Sequence, residues 1–374
     1  MKTFVEQNYE ETLQIIRDLC KIPAPSGKEE KRAEYCLNWL RKNGAEGVYI
    51  DDALNVVFPY NCDGSNEITV FVAHTDTVFP DTEPMPFSED EDKMYSPGVG
   101  DDTASVAVLM TMAKYLMSKN IVPENGFLIV LNSCEEGLGN LKGTRQIMAD
   151  YAGRVKQFIS FDSFSLERIH KECVGSHRYE VEVNCEGGHS FGKFGAKNAI
   201  AELSKIITEI YSIEVPKIGN SRTTYNVGTI VGGTSVNTIS QSAKMLCEYR
   251  SDNSECLDIM KKHFEEIFSK AKSEDVRVNV KLVGERPCEK GVDVQKKDTL
   301  SNLCKKIAEE VTGETAVFDS ASTDCNIPLS MGIPAICIGV FCGYGAHTRE
   351  EWIDKKSLRK GLEIGLKTAS ELAE

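Results

Sequence analysis

The sequence predicts an α/β protein whose sheet is covered by helices on both faces, with a smaller α+β unit inserted into it. Three observations carry that expectation. Unbroken apolar runs of strand length ("EITVFVAH", "GFLIVLNSC", "VKQFISFDSF", "IPAICIGV") alternate with helical patterns, as strands buried on both faces do. From about residue 174 the texture changes to period-two alternation. After residue 285 the first texture returns, so the chain divides into 1–173 and 286–374 around an insert at 174–285.

Taken in order, "YEETLQIIRDLCKI" has apolar residues at helical spacing and stops before "PAPSG". "EEKRAEYCLNWLRKNG" is a second amphipathic helix, closed by Gly44. "GVYIDDALNVVFPY" and "EITVFVAH" read as β-rich runs, "DTASVAVLMTMAKYLMSKN" as a long apolar helix, and "GFLIVLNSC" and "VKQFISFDSF" as buried strands. Within the insert, "SHRYEVEVNCEGG", "TTYNVGTIVGG", "SAKMLCEYRSD" and "VRVNVKLVG" are strands. The helices are "NAIAELSKIITEIYSI" and "SECLDIMKKHFEEIFSKAKS", giving the β-α-β-β-α-β order of a ferredoxin-like unit. "DTLSNLCKKIAEEVTG" and "IPAICIGV" then resume helix and buried strand.

The balance of charge is acidic: 43 Lys plus Arg against 57 Asp plus Glu, a formal −14. That argues against a nucleic-acid partner and against an anionic membrane surface. No secretory leader and no run long enough to span a membrane is visible, so a cytoplasmic protein is expected. Thirteen cysteines are scattered without a CxxC pair, and most sit in apolar runs as buried, reduced thiols do.

The groups able to do chemistry sit where apolar runs give way to loops. His74 ends "ITVFVAH", with Asp76 two residues on and, on extended backbone, on the same face. A metal-bound imidazole needs a partner on its other nitrogen, and Asp76 is placed for that. Glu135 and Glu136 follow "FLIVLNSC", Asp162 follows "QFISF", and His347 closes "GVFCGYGAH". Taken alone, Glu135–Glu136 is a solvated turn and His74 a satisfied strand-end histidine. Asp101 and Asp102 precede a helix, where a carboxylate caps or bridges two cations; no GK[ST] follows, which excludes a P-loop. Two histidines, several carboxylates and no thiolate pattern suit zinc or a similar divalent ion, and two ions rather than one.

The strings "HTDTV", "GVGDD", "EEGLGNLKG", "FD", "EGGHSFG" and "STDCNIPLSMGIPAICIG…GAHT" occur in this order between about residues 10 and 370. In them the chain resembles the co-catalytic dizinc aminoacylase and carboxypeptidase superfamily, and within it the aminotripeptidase (peptidase T) branch. That resemblance implies a zinc-exopeptidase-like mixed sheet with a lid and dimerisation domain at 174–285. It implies that His74 and Asp162 hold one metal, Glu136 and His347 the other, and Asp101 both. Asp76 would then orient His74, and Glu135 would be the general base. Where relatives carry Asp-Lys-Ala-Gly this chain has "DDTAS", which keeps Asp102 as the alternative to Asp101. His189 would reach a partner subunit's site to steady the oxyanion, and Asn237 and Arg250 would hold a substrate carboxylate; the lesser reading of Arg250 is a surface ion pair. The expected activity is two-metal hydrolysis of di- or tripeptides by a homodimer, with zinc (or manganese or cobalt). The rivals are an N-acyl-amino-acid amidohydrolase, a single-metal site, and a non-catalytic binding protein.

Overall fold

The unbroken apolar runs lie side by side. Gly126–Asn132, Ile68–His74, Val155–Phe161 and Ala335–Ile338 are adjacent and parallel at the middle of an eight-stranded sheet. Val56–Tyr60 pairs antiparallel with the first of them and carries Tyr49–Ile50 outside it. On the other side Arg168–Cys173 runs antiparallel to Ala335–Ile338, and Val317–Ala321 forms the far edge. The sheet is therefore mixed, and its parallel centre is buried apart from Lys156 and Gln157 near the start of one strand.

Period-two geometry explains how one run serves two cores. Phe71, Ala73, Ile129 and Phe161 point to one face and pack with the helices Lys2–Cys20, Ser105–Ser118, Val294–Thr312 and Lys355–Glu371. Their neighbours Val70, Val72, Val130 and Phe158 point to the other, against Leu141, Ile147 and Leu329. Phe71 has no exposed surface and stacks edge-on against Phe127 at 5.2 Å. Truncating such a ring to alanine costs about 3–5 kcal/mol.

The computed structural model describes all 374 residues, and the chain forms two units: Met1–Cys173 with Lys290–Glu374, and Val174–Glu289. The second is an antiparallel sheet of Thr223–Gly232, Ser242–Ser251, Gly175–Asn184 and Arg277–Arg286, in that order across it. Tyr179, Val181, Met245 and Tyr249 form its core with the helices Ala199–Ile210 and Ser254–Lys270. Both helices start on an asparagine whose side chain accepts a first-turn amide, Ile200 for Asn198 and Cys256 for Asn253.

Some elements differ from the sequence reading. The first helix begins at Lys2, because Phe4 and Val5 extend its buried stripe. The helix read from Asp102 begins at Ser105, since Val99–Ala104 form an irregular turn in which Asp101 and Asp102 leave helical geometry. None of the thirteen cysteines forms a disulfide, and eleven are buried. No helix is long and apolar enough to cross a membrane.

Candidate metal centre

Three neighbouring parallel strands end at one edge of the large sheet, each handing an acid or imidazole to the loop beyond. His74 is the last residue of its strand, Asp162 follows Phe161, and Glu135 and Glu136 follow Asn132 after a turn through Cys134. Asp101 comes from the irregular turn before Ser105–Ser118, and His347 from the loop before the short strand Trp352–Asp354. Asp101 stands between the two imidazoles: Oδ1 lies 2.9 Å from His74 Nε2, and Oδ2 lies 3.1 Å from His347 Nε2. His347 Nε2 is also 3.2 Å from Glu136 Oε1.

The donor atoms form three overlapping groups, each with its members within 4.8 Å of one another. They are His74 with Asp101 and Asp162, Asp101 with Glu136 and His347, and His74 with Glu135 and Glu136. Asp101 belongs to two of the groups and Asp102 to none. Asp102 turns inward instead, where one oxygen accepts the main-chain N–H of His74 at 3.0 Å.

The charges press on one another. Burial, with Asp101 beside it, pushes the Glu136 carboxyl up to about 7, and the same two causes raise Asp162 well above the ordinary carboxylate range. Hydrogen bonds to Asp101 and then Glu136 lift His347 to about 10. Burial works against charge on His74, but its bonds to Asp101 and Asp76 outweigh that and raise it. Burial likewise opposes the Asp101 carboxylate, yet His347 and His74 hold it below its usual value. A buried cluster of this kind must collect positive charge, as protons or as cations. Two imidazole nitrogens and several carboxylate oxygens, with no thiolate, match the donors that zinc and similar divalent ions take.

Asp76 has a larger part than orienting a ring. His74 Nδ1 lies 3.1 Å from the Asp76 main-chain oxygen and 3.4 Å from its carboxylate. The carboxylate accepts the N–H groups of Glu135 at 2.9 Å and Glu136 at 3.0 Å, and the Ser26 hydroxyl at 2.6 Å. The preceding amide, Cys134 N–H, goes to buried Glu29 at 3.0 Å. Two acidic side chains thus fix three consecutive amides of the turn that presents the paired glutamates. Sequence reading missed Glu29, and also Asp324, which accepts Asn132 Nδ2 and the Thr144 hydroxyl at 2.6 Å each. Nothing in the local sequence separates these carboxylates from exposed ones.

His189 and Asn237 lie together in the smaller unit, on the paired two-residue strands Gly188–His189 and Thr238–Ile239 and their flank. His189 Nδ1 accepts the amides of Phe191 and Gly192 at 3.3 Å each, which leaves Nε2 as the protonated donor. Arg250 does not join them. It sits near the far end of Ser242–Ser251, about 26 Å along the strand from Ser242 at 3.3 Å per residue. There it pairs with Glu248 at 2.7 and 3.1 Å. Arg250 is thus engaged within its own strand, at the end away from Ser242.

The sequence model of peptidase family M20/M25/M40 matches residues 70–371. Over 347 residues, 89% of each chain, the sequence is 24% identical to succinyl-diaminopimelate desuccinylase of Corynebacterium glutamicum. It is also 24% identical over 342 residues to carboxypeptidase G2 of a Pseudomonas species, covering 89% of this chain and 80% of that one. The crystal structure of aminopeptidase PepT from Bacillus cereus superposes with a TM-score of 0.75 at 22% identity, over 98% of this chain and 99% of that one.

Proposed function

The chain belongs to peptidase family M20/M25/M40 and is a hydrolase; from that premise we propose a two-metal exopeptidase that removes the amino-terminal residue of short peptides. The observation that carries the proposal is the pair of donor groups joined through Asp101. His74 and Asp162 complete one site, and Glu136 and His347 complete the other. Two divalent ions, zinc by the donor set, supply Lewis-acid chemistry when bound, polarising a carbonyl and acidifying water. Glu135, next to Glu136 and within reach of His74, is the general base. It takes a proton from the attacking water, whose oxygen adds to the scissile carbonyl carbon. As the C–N bond breaks, Glu135 returns that proton to the departing amine.

The smaller unit supplies the remaining groups as lid and dimerisation domain. His189 Nε2–H is a donor suited to the oxyanion of the tetrahedral state. Asn237 Oδ1 is engaged by the Ser235 hydroxyl at 2.8 Å, which turns the amide nitrogen into its free donor. Asn237 and Arg250 would hold a substrate carboxylate, with a second copy of the chain able to bring the two groups together. Phe191, Phe194 and Val236, next to His189 and Asn237, are 89%, 92% and 101% exposed, and such apolar surface suits burial against a second copy. The absence of disulfides among thirteen cysteines suits the reducing cytoplasm.

Cleavage of an N-acyl amino acid is the second reading, favoured by the likeness to a desuccinylase. A panel of dipeptides, tripeptides, amidated peptides and N-acyl amino acids, assayed with zinc-, manganese- or cobalt-loaded protein, separates the two. Release of the first residue from tripeptides supports the exopeptidase. Turnover of N-acyl compounds alone replaces it with the deacylase.

A further inference from the structure

Glu351 is a fully buried carboxylate with no lysine or arginine beside it. Its partners are three main-chain amides of one loop. Gly98 N–H donates to Oε2 at 2.9 Å, and Gly100 and Asp101 N–H donate to Oε1 at 2.7 and 2.9 Å. The main chain joins in, with Ser96 N–H on the Glu351 carbonyl at 3.2 Å.

The loop needs such a partner. Asp101 and Asp102 leave helical geometry at φ −99° and −126°, so this turn cannot satisfy its amides as a regular helix would. The sequence leaves no room for bulk there: a Cβ on Gly100 would meet the Phe164 ring at 2.8 Å, and one on Gly98 would meet Thr77 at 2.6 Å. Glu351 also stands four residues after His347, just before the strand Trp352–Asp354 that pairs with Lys93–Tyr95. One side chain therefore ties the segment that presents His347 to the loop that presents Asp101, across 250 residues of chain.

Building on the two-metal reading, we propose that Glu351 is a positioning residue. It fixes the distance between Asp101 and His347, and so the affinity of the Asp101·Glu136·His347 site, without touching substrate. His74·Asp101·Asp162 depends on it less, because His74 and Asp162 are carried on the buried strands Ile68–His74 and Val155–Phe161.

The test compares the parent with Glu351→Gln and Glu351→Asp. Zinc affinity is titrated against a chromophoric chelator, and the absorption of cobalt-loaded protein is followed at one and two equivalents. The expected result is two ions in the parent. In both variants one ion binds as in the parent and the second about 10–100-fold more weakly, in the range that supporting residues of metal sites command. Turnover should return when zinc or cobalt is raised to refill that site, a rescue that a general loss of folding would not show. Two ions at parental affinity in either folded variant would overturn the role of Glu351 and leave the two-metal reading standing. A parent that binds only one ion would overturn that reading and this proposal together.

Discussion

Replacing Asp76 with alanine removes the acceptor of two adjacent buried amides, Glu135 N–H and Glu136 N–H, and of the Ser26 hydroxyl. Asp76 has no exposed surface, so water does not take its place without rearrangement. Each stranded amide costs about 1–3 kcal/mol, or about 2–6 kcal/mol for the pair. For a unit of this size that is roughly 2 °C per kcal/mol, a fall of about 4–12 °C in the unfolding temperature. His74 also loses the carboxylate near Nδ1, and zinc affinity should fall about 10–100-fold. Asp76→Asn keeps one acceptor oxygen and should fall between parent and alanine on both measures. Calorimetry and chelator competition read the two quantities separately. If Asp76→Ala unfolds at the parental temperature and binds zinc as the parent does, the turn is not held by this carboxylate.

Three further outcomes follow from the same geometry. Glu135→Ala should keep its metal content and lose about 10²–10⁴-fold in turnover, the range for a general base, as steady-state kinetics beside elemental analysis would show. A hybrid dimer of one Glu135→Ala and one His189→Ala subunit should work at one of its two sites if His189 acts across the interface, and at neither if it acts within its own chain. Burial lowers the His177 pKa despite the opposing charge of Glu285, while Tyr249 holds Nδ1 at 2.5 Å. The folded protein therefore binds this proton less readily than the unfolded chain, so the stability tied to it is present above about pH 6.5 and lost as pH falls below. Urea midpoints between pH 7.5 and 5 should fall less steeply for His177→Gln than for the parent; equal slopes would remove His177 from the acid response.

What the sequence disclosed follows from where its elements lie. The central strands were legible because both faces are buried, which leaves a run of apolar residues that ends at a polar one. Those ends are where His74, Glu135, Glu136 and Asp162 stand. Val317–Ala321, at the sheet edge and largely exposed, carries no such run, so its sequence does not announce a strand. The helix Lys355–Glu371 is interrupted by Gly361 and Gly365, which weaken a helical pattern. The structure supplies the reason at Gly361, where a Cβ would lie 1.5 Å from the Val340 carbonyl oxygen. Glu29, Asp324 and Glu351 escaped notice for another cause. Their role depends on amides and hydroxyls brought in from distant segments, and residue type alone does not reveal burial. Asp101 is the intermediate case: the string "GVGDD" narrows the choice to two carboxylates, and the turn's geometry decides which one faces both imidazoles.

Crystals grown with zinc and measured at its absorption edge would test the account most directly. The expected map has two anomalous peaks, each about 2.0–2.2 Å from an oxygen of Asp101, one beside His74 and Asp162 and the other beside Glu136 and His347. A single peak at saturating zinc, or two peaks joined through Asp102, would contradict it.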